Sequence, residues 1–300
     1  MRDKLEMAKR RANRLGTLRH HPPRPLRFPI SANSRPPLED APTISIVTPS
    51  LNQARFLEHA IESVLGQKYP LLEYVVQDGG SNDGSRQILD RYSDRLDHWE
   101  SVPDGGQASA LNRGFARTSG EVMAYLNSDD LLLPGALSHV ARFLHNHPEV
   151  EVVYGHRVLI DELGREIGRQ VIPRHSDRVL SWASFIPQET VFWRRAAWER
   201  AGATFDESFQ CAIDWDLLVR LREVGARMAR LPRFLGAFRV HGDQKTTALG
   251  PTIGVDEMQR IRKRLHGRSV DQSEALRRVR PYLIRHVVLD QLYRRGLLRY

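Results

Sequence analysis

Cysteine is almost absent from this chain, with one residue, Cys211, among 300. A single cysteine excludes an internal disulfide and fits a reducing compartment, so we predict a cytoplasmic protein. No uninterrupted apolar stretch approaches the ~20 residues that a membrane-spanning helix needs. Charged residues recur through residues 1–14, so this segment does not have the apolar region of a signal peptide.

Positive charge is in excess, with a formal net charge of +9 that is unevenly spread. Residues 1–40 carry +6 and residues 251–300 carry +7, whereas residues 41–250 carry −4. Basic ends of this kind suit anionic lipid, nucleic acid or an acidic partner, and the alternative is a solvated surface. We predict that they assist peripheral contact with the inner face of an anionic membrane and that they do not bind nucleic acid.

Strand-like and helix-like segments alternate through the first half of the chain, which is typical of an α/β fold with a mostly parallel sheet. From residue 255 onward the pattern is helical and basic, and its apolar face is expected to pack on the core or on a second subunit of a homo-oligomer. We therefore predict three parts: a basic N-terminal extension over 1–41, a central domain over 42–250 and a basic helical segment over 251–300.

Two adjacent acids, Asp129 and Asp130, directly follow a strand-like run over residues 122–126. Ligands of an open parallel sheet bind beyond the carboxyl ends of its strands, where these acids are predicted to lie. Two neighbouring carboxylates repel each other unless a cation lies between them, and a divalent ion carrying a phosphate-bearing substrate fits that position. The alternative is a helix N-cap, because Ser128, Asp129 and Asp130 are all good capping residues.

Glycine-rich loops follow two other predicted strands, at residues 77–85 and 103–107. Glycine lets a backbone approach a ligand closely, and Asp78 stands where it can accept hydrogen bonds from a base or a ribose. Asp83 is alternatively a cap of the helix that follows. Asn112 belongs to the helix after the second loop and is predicted to face the ligand.

Six short motifs together resemble family 2 glycosyltransferases, which are inverting enzymes with the nucleotide-sugar-binding GT-A fold. Singly each motif is weak, but all six occur in the family's order and cover about residues 43–246, leaving the basic ends outside. The motifs are VTPSLN at 47–52, QDGGSNDGS at 77–85, DGGQASALN at 104–112, LNSDD at 126–130, IDWDL at 213–217 and FRVH at 238–241. The resemblance implies a nucleotide-binding half over 42–133, an acceptor-binding half over 134–250 and a helical C-terminal extension.

The resemblance also implies roles for individual residues on the donor side. A divalent cation, Mn²⁺ or Mg²⁺, would be held chiefly by Asp130, with support from Asp129, and by His241, for which a structural donor is the alternative. One departure is Asn127, which stands where the family's metal motif usually has its first aspartate. The nucleotide-binding residues implied are Thr48, Pro49, Asn52, Asp78, Asp83, Gln107, Asn112 and Asp129.

On the acceptor side, Asp214 occupies the position of the family's catalytic base, although Ile213 replaces the glutamate that often precedes it. The alternative for Asp214 is an ordinary acid at a helix start. We expect Trp182, Gln188 and Trp215 to be acceptor-site residues, and core packing is the alternative for the two tryptophans. The Gln-x-x-Arg-Trp signature of processive synthases is absent from the sequence, so we expect one sugar to be added at a time.

These features predict an inverting, metal-dependent transfer of one sugar from a nucleoside-diphosphate sugar, most simply a UDP-sugar, to an acceptor hydroxyl. The resemblance implies a glycan, lipid-linked or polysaccharide acceptor in bacterial surface-glycan assembly. Two rival predictions are a nucleotidyltransferase that makes nucleotide sugars and a non-enzymatic nucleic-acid-binding protein that uses the basic ends. Against the nucleotidyltransferase, the sequence has no basic glycine-rich phosphate loop of the expected kind near its first strand. Against the nucleic-acid-binding protein, the carboxylates at strand and helix ends would have no role.

Overall fold

A computed structural model describes residues 17–27, 40–244 and 250–300 of the protein. Within these ranges strands and helices alternate as the sequence predicts. The strands are β1 (Ile44–Ser50), β2 (Leu72–Asp78), β3 (His98–Ser101), β4 (Val122–Tyr125), β5 (Leu131–Leu132), β6 (Val152–Ile160), β7 (Glu166–Gln170), β8 (Phe192–Arg194) and β9 (Met228–Arg239). The α-helices are α1 (Ala54–Leu65), α2 (Ser85–Tyr92), α3 (Gln107–Phe115), α4 (Ala136–Asn146), α5 (Asp177–Leu180), α6 (Arg195–Arg200), α7 (Ile213–Glu223), α8 (Val255–His266) and α9 (Gln272–Arg294).

The described strands form one sheet in the order β3-β2-β1-β4-β8-β6-β9-β5, with β7 paired to β6. The first four strands in this order are parallel, as is the pair of β6 and β9, whereas β5, β7 and β8 run antiparallel to their neighbours. Together with the helical C-terminal region, this arrangement confirms the predicted α/β fold class. Because β1, β2 and β4 are parallel and adjacent, their carboxyl ends meet at one edge of the sheet.

Each face of the sheet is covered by its own hydrophobic core. Alternate residues of β1 contribute to opposite sides, with Ile46 packing towards α1 and α4 and Val47 packing towards α3 and α7. A sheet that is apolar on both faces is expected of parallel strands flanked by helices. The glycine at position 114 of α3 allows that helix to approach closely, since a Cβ there would lie 2.4 Å from a methyl of Val47.

Strands β6 and β7 form a hairpin that turns at residues 161–165, and this hairpin receives part of the N-terminal region. Arg24 forms a β-bridge with Glu166, and its guanidinium contacts the carboxylate of the same residue. Residues 17–27 therefore pack on the edge strand β7. Most of the basic N-terminal extension predicted over residues 1–41 lies outside the described residues.

The C-terminal segment consists of α8 and α9, and both helices pack on the domain. Arg264 of α8 pairs with Asp216 of α7, and Val279 and Tyr282 of α9 pack with Val179 and Trp182. No helix in the described parts of the chain combines the length and the apolarity that crossing a membrane requires.

Candidate active site

The turn after β1 and the loop after β2 form one hydrogen-bonded platform at the edge of the sheet. Asn52, in a left-handed conformation with φ of 52°, accepts a hydrogen bond from the amide of Asn82 at 3.1 Å and donates its own to Ser81 Oγ at 2.7 Å. Asp83 accepts a hydrogen bond from the amide of Ala54 at 2.8 Å, at the first residue of α1. The sequence-predicted residues Asn52 and Asp83 thus lie together, and both hold the platform in shape.

Asp78 closes the glycine loop from below. It is fully buried and accepts hydrogen bonds from the amide and hydroxyl of Ser81 at 2.8 and 2.6 Å, and from Ser101 Oγ at 2.7 Å. Gly80 has φ of 82°, which lets the chain turn above this carboxylate. The structure therefore shows Asp78 supporting the loop backbone that a nucleotide would meet.

Thr48 and Pro49 lie within buried β1 and form the floor of the platform. Thr48 Oγ1 lies 3.0 Å from the hydroxyl of Tyr74 on β2, and Pro49 pairs in register with Gln77. We predicted that Thr48 and Pro49 contact the nucleotide, and both residues are buried in the structure.

Three amide side chains form a chain of hydrogen bonds across the sheet edge. Gln107 Nε2 at the start of α3 donates to Asn127 Oδ1 at 2.7 Å, and Asn127 Nδ2 donates to Gln188 Oε1 at 3.1 Å. Gln188 Nε2 in turn donates to the carbonyl of Tyr125 at 2.8 Å. An aspartate at position 127 would accept from Gln107 but could not donate to Gln188, which gives a physical reason for asparagine at this position.

The two adjacent aspartates occupy different environments. Asp130 is 1% exposed, and its Oδ1 accepts a hydrogen bond from the amide of Arg239 at 2.9 Å. The carboxylate of Asp129 is 19% exposed, while its carbonyl accepts a hydrogen bond from Arg239 Nε at 2.7 Å. The short pairing of β5 with β9 brings Arg239 to this turn, because Leu131 aligns with Ala237. The reachable carboxylate is therefore that of Asp129.

His241 lies directly beside this reachable carboxylate. Its Nε2 is 3.0 Å from Asp129 Oδ2, and its ring packs against Phe56 with centroids 4.9 Å apart. The other ring nitrogen, Nδ1, is buried without a hydrogen-bond partner among the described residues. The structure thus brings His241 to the turn that carries Asp129 and Asp130, which we call the aspartate turn.

Glu189 is an acid of the site that we did not predict from the sequence. It is 2% exposed, lies 3.8 Å from Arg157, and has one carboxylate oxygen without a hydrogen-bond partner among the described residues. Gly236 makes room for it, since a Cβ there would lie 2.6 Å from the carbonyl oxygen of Glu189. A glutamate next to Gln188 in an otherwise apolar run was the available sequence signal.

Several acidic side chains at this edge of the sheet influence one another's pKa. Burial raises the pKa of Asp130 well above its usual range, and the charges of Asp129 and Glu189 raise it further. Burial also raises the pKa of Glu189, and the charges of Asp214 and Asp129 add to that effect against the opposing charge of Arg157. The charges of Asp129 and Asp214 therefore both act on the buried carboxyl of Glu189.

Asp214 stands in the first turn of α7, partly exposed, with its backbone held by the buried Ile213 and Trp215 on either side. Burial raises the pKa of Asp214 to about 6, against the opposing effects of backbone amides at the helix start and of Arg157. A carboxylate with a pKa near the working pH is suited to accept a proton.

Asp216 has a different role from its neighbour. It is 1% exposed and pairs with Arg220 at 2.8 Å and with Arg264 of α8 at 2.7 Å. Both carboxylate oxygens are therefore engaged in ion pairs that tie α7 to α8. This pairing supports Asp214 over Asp216 as the acid available for chemistry.

Glu257 of α8 holds the segment that leads into α7. Its buried carboxylate accepts hydrogen bonds from three consecutive amides, those of Gln210, Cys211 and Ala212, at 2.6, 2.8 and 2.8 Å. Negative charge before a helix N-terminus is favoured by the helix dipole. The C-terminal segment thus contributes directly to the position of Asp214.

Replacing Glu257 with alanine is expected to lower the free energy of unfolding by about 2 to 4 kcal/mol, because three backbone amides lose their shared charged acceptor. Chemical denaturation measures this loss, and Glu257→Gln, which keeps one acceptor oxygen, should lose less. Asp256→Ala removes the same charge from an exposed neighbouring position and serves as the control. Equal losses for Glu257→Ala and Asp256→Ala would contradict the proposed role.

Three other predicted residues have packing or bracing positions. Trp215 is fully buried with its Nε1 donating to the carbonyl of Leu180 at 2.8 Å, and Trp182 is 8% exposed and stacks on His266. The side chain of Asn112 bonds the backbone of Phe205 through both its amide nitrogen and its oxygen. Neither tryptophan is available to an acceptor sugar in this conformation, whereas Gln188 lies at the site through its amide chain.

The side chains at the aspartate turn are of types that bind divalent cations, but they are too few to complete a metal site by themselves. No group of three His, Cys, Asp or Glu side chains converges on a metal position within the part of the chain that the structure describes. Asp129 and His241 offer one oxygen and one nitrogen donor, 3.0 Å apart. Such a cation would therefore need further ligands from phosphate oxygens of a bound substrate.

Comparison with known proteins places this geometry in a family. A family model described as "Glycosyl transferase family 2" matches residues 45–203, which is just over half of the chain. An uncharacterised glycosyltransferase of Mycobacterium tuberculosis is 29% identical over 186 residues, covering 61% of this chain and 70% of the relative. An uncharacterised glycosyltransferase of Nostoc sp. is 28% identical over 218 residues, covering 66% of this chain and 65% of the relative.

Two solved structures share the fold. TarS 1-349 of S. aureus in complex with UDP-GlcNAc has a TM-score of 0.62 at 18% identity, covering 81% of this chain and 72% of that chain. The mannosyltransferase PcManGT from Pyrobaculum calidifontis, in complex with GDP-Man and Mn²⁺, has a TM-score of 0.58 at 18% identity, covering 94% and 75%. The fold is therefore that of these glycosyltransferases, as the resemblance predicted. With the match to the family model, we conclude that the chain belongs to glycosyl transferase family 2 and is a nucleotide-sugar-dependent glycosyltransferase.

Proposed function

We propose that this enzyme is an inverting, metal-dependent and non-processive glycosyltransferase that moves one hexose from a nucleoside-diphosphate sugar to an acceptor hydroxyl. The observation that carries the proposal is the partly exposed carboxylate of Asp129, 3.0 Å from His241 Nε2, together with the partly exposed Asp214 at the start of α7. The charges of both acids raise the pKa of Glu189, which supports a proposed cation-binding carboxylate and a proposed base in one site. Inversion needs such an arrangement, with leaving diphosphate and attacking hydroxyl on opposite sides of the sugar.

The donor half of the site is the platform made by residues 49–54 and 77–85. Its loop backbone is held from below by Asp78 and from the side by Asn52 and Asp83, so it is preorganised for a nucleotide. The solved relatives were captured with UDP-GlcNAc, with UDP and with GDP-Man, which supports a nucleoside-diphosphate sugar. A UDP-sugar is our first candidate.

Mn²⁺ or Mg²⁺ would be held by Asp129 and His241, with Asp130 fixing the turn from the interior. When bound, the cation acts as a Lewis acid that offsets charge on the departing diphosphate. His241 is held in place by Phe56, and Asp129 by the hydrogen bond from Arg239 to its carbonyl. These contacts orient both ligands before the donor arrives.

Asp214 takes the proton of the acceptor hydroxyl as the hydroxyl attacks the anomeric carbon. Its pKa of about 6 leaves the carboxylate largely ionised at neutral pH and basic enough to accept that proton. The amide chain of Gln107, Asn127 and Gln188 lies between the two halves of the site and offers polar groups to the sugar hydroxyls.

The acceptor is proposed to be a glycan, lipid-linked or polysaccharide, in bacterial surface-glycan assembly. The use of one cysteine fits a reducing, cytoplasmic compartment. The chemistry of the site requires only an accessible hydroxyl opposite the leaving group, so the acceptor class is best found by assay.

A thermal-shift screen of nucleotide sugars with and without Mn²⁺ tests the donor and the metal together. At about 100 times its Kd, a ligand adds about 2.7 kcal/mol of stability, which raises the melting temperature by roughly 5 °C. We expect this shift for one nucleotide sugar and expect it to depend on Mn²⁺. No shift with any nucleotide sugar, together with turnover of a sugar phosphate and a nucleoside triphosphate, would favour a nucleotidyltransferase instead.

A further inference from the structure

The C-terminal helix α9 has one face on the protein and one face in solvent. Ala275, Val279 and Tyr282 are buried against the domain. Arg277, Pro281, Ile284 and Val288 are exposed, and their spacing of four, three and four residues puts them along the opposite side of the helix. This outward face runs most of the length of a helix about 35 Å long.

Exposed apolar side chains concentrate on and just after this helix. The described residues include eight large apolar side chains classed as exposed, and four of them fall within residues 276–297, about a tenth of the described chain. Ile284 and Val288 are 56% and 51% exposed, and Leu276 and Leu297 are 59% and 66% exposed. Large apolar groups clustered in this way mark an interaction surface.

Arginines lie on and beside the outward face of α9. Arg277, Arg280, Arg285 and Arg295 are exposed, and none of the four forms an ion pair with a carboxylate among the described residues. The acids of α9 lie elsewhere, since Glu274 is engaged by Arg268 and Arg278 and Asp290 is on the buried side. The outward face therefore combines apolar side chains with uncompensated positive charge.

We propose that the outward face of α9 docks on an anionic lipid bilayer. A helix with an apolar stripe and flanking arginines lies in the membrane interface, where the apolar side chains enter the acyl boundary and the guanidiniums meet lipid phosphates. The long arginine side chains can extend to the headgroups while their stems cover apolar surface. This inference concerns a surface away from the donor platform and does not depend on the proposed reaction.

A second copy of this chain is a poorer fit to the same face. Two such faces packed on each other would place unpaired arginines opposite one another, because the face carries no free acid to receive them. The chain's own N-terminal region is also basic, with +6 over residues 1–40. Charge complementarity thus favours an anionic surface.

Sedimentation with vesicles of phosphatidylcholine, with or without about one third phosphatidylglycerol, tests the charge requirement on the full chain. We expect binding to the anionic vesicles only, weakened by salt. Arg280→Gln/Arg285→Gln should weaken binding about thirtyfold, since each arginine near an anionic surface contributes about fivefold. The matched control is Arg86→Gln/Arg117→Gln, which removes the same charge from exposed positions elsewhere and should bind like wild type.

The apolar requirement is tested by Ile284→Ser/Val288→Ser, which should weaken binding about tenfold or more. Leu71→Ser, at a 44% exposed site away from α9, is its control. The melting temperature of each variant verifies that it folds, and the increase in melting temperature on adding donor verifies that its nucleotide site is retained. Equal losses for both arginine pairs, or full binding by Ile284→Ser/Val288→Ser, would overturn the proposal. A wild-type dimer that this last variant converts to monomer, with vesicle binding unchanged, would identify the face as a self-association surface.

Discussion

Replacing Asp214 with asparagine is expected to slow sugar transfer about 100- to 10,000-fold, because asparagine keeps the size of the side chain but cannot accept the acceptor proton. Donor binding should barely change, since the proposed base acts on the acceptor hydroxyl and not on the diphosphate. The measurement pairs initial transfer rates with the donor-induced thermal shift. A loss of rate with a normal shift is the pattern that identifies a base.

The pH dependence of the wild type gives a second measurement of the same group. Burial raises the pKa of Asp214 to about 6, so the carboxyl is increasingly protonated as the pH falls below that value. The value of kcat/KM should therefore fall about tenfold per pH unit below pH 6 and level off above it. The residual rate of Asp214→Asn should lack this inflexion.

Stability should change in the opposite direction to activity. A carboxyl whose pKa is raised on folding binds more protons in the native than in the unfolded state, so its contribution to stability falls as the pH rises from about 4 to 6. Asp214→Asn removes this penalty and should be more stable than wild type at pH 7. Unfolding at pH 4 and pH 7 measures the difference.

Asp216→Asn is the comparison variant for the base assignment. Because Asp216 is paired with Arg220 and Arg264, its loss should lower stability and affect transfer through the position of α7. Near-normal transfer by Asp214→Asn, with a folded but inactive Asp216→Asn, would transfer the role of base to Asp216.

Asp129→Ala is expected to abolish the stabilisation that a nucleoside diphosphate with Mn²⁺ gives the wild type. The structure leads to this prediction because the carboxylate of Asp129 is the reachable one and lies 3.0 Å from His241. The loss of a shift worth about 2.7 kcal/mol is large enough to be read directly from melting curves. His241→Ala should reduce the shift in the same way.

Asp130→Ala separates support of the turn from contact with the cation. The sequence led us to expect Asp130 to be the main metal ligand, whereas the structure encloses it and gives its Oδ1 to the amide of Arg239. We therefore expect Asp130→Ala to melt at a lower temperature without ligand, because a buried amide loses its acceptor. An intact metal-dependent shift in Asp129→Ala and a lost one in Asp130→Ala would return the main metal role to Asp130.

The order of strands and helices was determined by the sequence alone. Alternating segments with apolar periodicity predicted the α/β fold, and residues 122–130 predicted a strand that ends in two acids. These features depend on neighbours along the chain, which a sequence displays directly. The full length of β6 (Val152–Ile160) could not be predicted in the same way, because the strand continues through Gly155, a residue type that weakens strands.

Several parts of the site depended on the tertiary structure. The positions of Asn52, Asp83 and Asp214 near strand and helix starts could be predicted from local motifs. The difference between Asp129 and Asp130 could not, because it is made by Arg239, over a hundred residues away. Glu189 and Glu257 were missed for the same reason, and Trp215 was placed at the acceptor although it is fully buried. The exposure of a carboxylate and its ion pairs are set by contacts between segments distant in sequence. Residues of the same type therefore take different roles, as metal ligand, as base or as structural support, only once the chain has folded.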